Sequence, residues 1–146
     1  MRLVILNGPN LNLLGQREPE VYGRTTLPEI EAAVRQRAAE LGVEIEWVQS
    51  NHEGALVEAV QALKGRADGA VVNAAAFTHT SLALRDAFLA VQVPFVEVHL
   101  SNLFARREEA RRHTLLGDLA LGFVCGFGAR GYTLALEGLV ERLRHG

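Results

Sequence analysis

Three short stretches of the chain concentrate groups that move protons or bind anions. In VEVHLSN, residues 96–102, Glu97 and His99 stand two positions apart, a spacing that puts both on one face of a strand. A carboxylate beside an imidazole favours the charged ring and fixes its orientation, which suits a general acid. The competing reading is a half-exposed strand carrying ordinary polar residues. In NAAAFTHTS, residues 73–81, an amide, an imidazole and three hydroxyls crowd a strand-to-helix turn. Free N–H groups at the start of the next helix would attract an anion there, with Asn73 and His79 flanking it, while Thr80 or Ser81 caps the helix. In NGPNLNLLGQREPEVYG, residues 7–23, Tyr22 follows Arg17 by five positions. A phenol ionises near pH 10, at about the usual tyrosine value, so Tyr22 could act as a base only beside a cation such as Arg17. The alternative is a surface tyrosine with an unrelated arginine, although loops of this length tend to be functional.

Groups so far apart in sequence act together only if the fold gathers them. Leu3 to Leu6 is an apolar run ended by Asn-Gly-Pro, which reads as a buried parallel strand. Thr26 and Glu29 have capping-box spacing and open a helix to about Leu41, with Gly42 as its stop. Val43, Ile45 and Trp47 alternate as a half-buried strand, and Leu56, Val57, Val60 and Leu63 recur with helical spacing. Ala70 to Asn73, Pro94 to Leu100 and Phe123 to Gly126 read as further strands. Helices are expected from Ser81 to about Val91, over ARREEARRH, and from Tyr132 to about Leu143. Strands alternating with helices predict a parallel sheet with right-handed crossovers, here a five-stranded flavodoxin-like α/β fold in a single domain over residues 1–146. Ligands in such sheets bind beyond the carboxyl ends of the strands. All three polar stretches lie at such ends.

Composition narrows the function classes. A chain of 146 residues with 49% hydrophobic and 22% charged residues is ordinary for a globular domain. A formal charge of -2 argues against a general nucleic-acid binder. The lone Cys125 can form no internal disulfide; it reads as a small buried hydrophobe and fits a reducing, cytoplasmic setting. No stretch is long enough for a signal peptide or a membrane span. GFGARG, residues 126–131, fits a dinucleotide fingerprint, but no later strand follows to supply a ribose-binding acid, so close helix-to-strand packing is the better reading. The five histidines show no zinc-type spacing. ARREEARRH reads as a solvated helix with a Glu108–Arg112 pair, from which one arginine could reach an anionic substrate.

Taken together, the motifs NGPNLNLLGQREPEVYG, QSNHEG, FTHTS, LRDA, VEVHLSN and CGFGARGY resemble those of type II 3-dehydroquinate dehydratase, in the same order and over nearly the whole chain. The resemblance implies elimination of water from 3-dehydroquinate through an enolate, with no cofactor and no metal. It implies Tyr22 as the base, Arg17 as the cation beside it, His99 as the acid supported by Glu97, and Asn10 as holder of a water at the enolate oxygen. It further implies substrate binding by Asn73, His79, Leu100, Ser101 and Arg111, with Arg107 and Arg112 as alternatives to the last. Asp86 would reach a neighbouring subunit's site within a homododecamer built as a tetramer of trimers. Ala74 and Ala75 depart from the family pattern, which has Pro and a small residue after the asparagine.

Overall fold

The computed structural model describes residues 1–16, 18, 20 and 23–146. Arg17 and Tyr22 lie outside the described residues. Among those described, the strands are β1 (Arg2–Asn7), β2 (Glu44–Gln49), β3 (Gly69–Asn73), β4 (Phe95–His99) and β5 (Gly122–Cys125). They form one sheet in the order β2-β1-β3-β4-β5, every neighbouring pair parallel. The helices are α1 (Leu27–Leu41), α2 (Glu53–Gln61), α3 (Phe77–Thr80), α4 (Leu82–Val91) and α5 (Arg130–His145).

Strand alternation divides the core in two. Leu3, Ile5, Val71, Val96 and Val98 pack under α1 and α5. Val4, Leu6, Ala70, Val72 and Phe95 pack under α2 and α4. Two helical layers on a parallel sheet of this order make the flavodoxin-like fold, and the strand order reverses beside β1, where the carboxyl ends open a crevice.

Local signals explain most boundaries. Thr26 caps α1 by accepting from the Glu29 amide at 3.3 Å, and Gly42 ends the helix at φ 71°. Ser81, rather than Thr80, caps α4, its Oγ accepting from the Leu84 amide at 2.9 Å. Gly131 of the GFGARG stretch presses against β4: a Cβ there would stand 3.2 Å from the Val98 side chain. That close approach accounts for the glycine without a nucleotide.

Three expectations are corrected. ARREEARRH forms no α-helix; it is spanned by 3-10 turns at Leu103–Ala105 and Glu109–Arg111. The expected Glu108–Arg112 pair is replaced by Glu108 with Arg111 at 3.0 Å, while Arg112 donates to the carbonyls of Arg106 and Arg107. An isolated charged segment of this length does not sustain helix nucleation, and its end is tethered through His113 and Thr114. Cys125 is half-exposed, because β5 is an edge strand, and its Sγ donates to Asn102 Oδ1 at 3.6 Å. Beyond these three, α3 is not among the expected helices: it is one turn long, too short for hydrophobic periodicity to reveal.

Candidate active site

Every residue of β4 is buried, so Glu97 and His99 are not ordinary polar residues of a half-exposed strand. Glu97 is 0% and His99 2% exposed, and His99 Nε2 lies 2.5 Å from Glu97 Oε2. Two hydroxyls also donate to the carboxylate: Thr78 Oγ1 to Oε2 at 2.6 Å and Thr114 Oγ1 to Oε1 at 2.8 Å. The carboxylate thus faces two hydroxyl donors and a ring nitrogen, an arrangement in which it accepts from each of them.

His99 lines an open crevice at the carboxyl end of the sheet. Asn10 enters from the loop after β1, Asn73 and Ala75 from the end of β3, Leu100 from the end of β4, and Arg106 and Arg111 from the turns that follow. Asn10 takes a left-handed conformation, φ 67°, and its amide donates to Asn51 Oδ1 at 2.9 Å. The first and third loops touch at Gly8, whose amide donates to the Asn73 carbonyl at 2.8 Å.

Asn73 is anchored from behind. Its Nδ2 donates to the Tyr132 hydroxyl at 3.0 Å, and its Oδ1 accepts from the Ala75 amide at 3.1 Å. The Tyr132 hydroxyl in turn donates to Asn7 Oδ1 at 2.7 Å. Burial pushes the Tyr132 phenol well above its ordinary range, which disqualifies it as a base and leaves Tyr22 as the tyrosine to consider.

His79 donates through Nδ1 to the His113 carbonyl at 2.7 Å and accepts at Nε2 from Arg106 at 3.1 Å. A guanidinium only donates, so the His79 ring is neutral. Its pKa is accordingly lowered, first by burial and further by the charge of Arg106. Arg106 also donates to Ser101 Oγ at 3.0 Å, joining two of the expected binding residues.

The structure thus gathers Asn10, Asn73, His99, Leu100 and Arg111 at one crevice, with Glu97 behind His99 and with His79 and Ser101 joined to it through Arg106. Asp86 is exposed on α4 and does not line this chain's crevice. Of the three arginines weighed from sequence, Arg111 lines the crevice, while Arg112 is bound to backbone carbonyls. Arg106, Thr78 and Thr114 also belong to this network, and no local sequence signal marks them. A helical reading of 105–113 hid the first. The threonines have no signal of their own, since only the fold brings them to Glu97. Among the described residues, no group of three or more His, Cys, Asp or Glu side chains is placed to hold a metal ion.

Residues 1–140 match the model of the family described as dehydroquinase class II. The chain is 60% identical to a 3-dehydroquinate dehydratase of Synechococcus sp. (strain WH7803), covering 99% of this chain and 97% of the relative. It is 56% identical to one from Dinoroseobacter shibae, covering 98% and 95%. Its fold superposes on the crystal structure of type II dehydroquinase from Propionibacterium acnes with a TM-score of 0.90 at 37% identity, covering 95% of each chain. With this sequence match, this fold and this crevice, the chain belongs to the class II dehydroquinase family.

Proposed function

We propose that the crevice dehydrates 3-dehydroquinate to 3-dehydroshikimate, the shikimate-pathway step of its family, by anti elimination through an enolate. The buried Glu97–His99 pair at the crevice is the observation that carries this reading. Loss of water from a β-hydroxy ketone needs a base for the α-proton, charge stabilisation for the enolate and an acid for the departing hydroxyl. Tyr22, as phenolate beside Arg17, takes the proton. The electron pair moves into an enolate whose oxygen is met by a water held at Asn10. The enolate then collapses, the C–O bond breaks, and His99 protonates the leaving hydroxyl, so that one water is released and an enone remains. Glu97 holds His99 in place.

Asn73, His79, Leu100, Ser101 and Arg111 bind the substrate's carboxylate and hydroxyls in this reading. Arg106 supports it by tying His79 to Ser101. The catalytic unit is a single domain of residues 1–146, working in the cytoplasm. Twelve copies assemble as a tetramer of trimers, with Asp86 reaching a neighbour's site. Along α4, Leu82 is 63% and Leu89 49% exposed on the same face as Asp86, an apolar stripe suited to a second copy. Following enone absorbance after mixing purified protein with 3-dehydroquinate tests the reaction. A steady rise is expected, and a flat trace with intact substrate would overturn it.

A further inference from the structure

The Glu97 carboxylate is surrounded more completely than a partner for one imidazole requires. Thr78 sits on the single turn of α3, next to His79. Thr114 follows the 3-10 turn at Glu109–Arg111. Their hydroxyls reach Glu97 from two segments 36 residues apart. Each has one hydrogen to give, and each lies in hydrogen-bond reach of the carboxylate: Thr78 at 2.6 Å, and Thr114 at 2.8 Å to Oε1 and 2.9 Å to Oε2, the two hydroxyls themselves standing 3.1 Å apart. The remaining capacity of Thr114 Oγ1 is filled by the amides of Leu116 at 3.0 Å and Gly117 at 3.1 Å. With its lone pairs facing two N–H donors, the hydroxyl turns its hydrogen to the opposite side, where Glu97 and the Thr78 hydroxyl lie. Its direction is set by the backbone.

This arrangement decides two properties of His99. The carboxylate cannot turn away from the ring without breaking a hydroxyl bond to a fully buried Glu97. As the carboxylate only accepts, Nε2 keeps its proton, and Nδ1 is the ring nitrogen that gives one up and regains it. We propose that Thr78 and Thr114 are positioning residues for the elimination, holding the Glu97 carboxylate so that His99 presents Nδ1 to the leaving hydroxyl. This rests on the reaction proposed above. The threonines touch neither substrate nor reacting atoms and act through Glu97. The same contacts tie α3 and the 114–117 turn to the acid, so the segment bearing His79 is held in register with His99.

Thr78→Val keeps the side-chain shape and removes the hydroxyl; Thr78→Ser keeps the hydroxyl and removes a methyl group. In the full-length assembled protein, the valine variant is expected to lower kcat for 3-dehydroquinate by about 10-fold, a fraction of what a general acid contributes, with KM within about twofold. Exchange of the substrate's α-proton with solvent should persist, because the enolate still forms. The serine variant should stay within about twofold of the parent in both constants, whereas a packing role would make serine the more damaging change. A second readout does not depend on turnover. The His99 Nε2 proton, shielded from water, should give a low-field proton resonance in the resting protein, assigned by its loss in His99→Gln. It should persist in Thr78→Ser and move or vanish in Thr78→Val. Should the valine protein not fold, Thr78→Ala takes its place with the same expectations. If the parent fails to turn over 3-dehydroquinate, the proposed reaction falls, yet the resonance still decides the role of Thr78. A resonance unmoved by valine or alanine would overturn the inference, as would a parental kcat in an active protein.

Discussion

At the scale of single residues, the chemistry is divided between groups whose surroundings push them in opposite directions. Of the chain's two tyrosines, Tyr132 is held neutral by burial and serves as an anchor for Asn73 and Asn7. The proposed base is therefore Tyr22, and Tyr22→Phe should lower kcat by on the order of 10² or more while substrate still binds. Near-normal turnover of that variant would remove it from the mechanism. His79 leads to a pH prediction. Burial holds its imidazole below the ordinary value of 6.5. The native state therefore resists a proton that the unfolded chain accepts, and unfolding binds protons in that window. Stability from this group is complete above pH 6.5 and is lost as pH falls below it, until the native ring is protonated as well. Urea unfolding at pH 7.5 and 5.5 should show a smaller loss on acidification for His79→Asn than for the parent. Equal losses would assign the effect to other groups.

At the scale of elements, the crevice depends on two strand ends that nearly touch. A Cβ at Gly8 would stand 2.3 Å from the Ala74 carbonyl oxygen, a backbone atom with nowhere to retreat. Gly8→Ala should therefore destabilise the fold by about 2 kcal/mol, the usual scale for overpacking, and raise KM by parting the Asn10 loop from Asn73. A parental urea midpoint and KM would show that the loops can separate freely. Lys64, the chain's one lysine, provides a contrast. It is exposed beyond α2 and precedes the amino end of β3, on the opposite side of the sheet from the crevice. It is thus misplaced to form a Schiff base with a substrate ketone. Lys64→Ala should retain most activity, and borohydride with substrate should leave the parent active. A mass adduct on Lys64 with lost activity would refute the tyrosine-based elimination.

At the scale of the whole molecule, the exposed Leu82–Asp86–Leu89 face of α4 belongs to the proposed assembly. Asp86→Ala should weaken either the oligomer in analytical ultracentrifugation or the kinetics of the site it completes; a variant unchanged in both would separate Asp86 from the interface. The sheet, its parallel sense and most helix ends were legible from sequence, because period-2 and period-3.6 apolar patterns and caps such as Thr26 and Gly42 are local properties. The Glu97–His99 pairing was legible for the same reason: two residues on one strand share a face whatever surrounds them. The Arg106 bridge from Ser101 to His79 was not legible, nor was the lack of a helix over 105–113, since both depend on where that segment is tied. Sequence alone also could not place Thr78 and Thr114 on one carboxylate. Residues 36 positions apart meet there only because a parallel sheet brings the ends of β3 and β4 together. The types of the reacting groups are therefore a property of the sequence, and their orientation is a property of the packed fold, because hydrogen-bond direction is set by neighbours that no local pattern specifies.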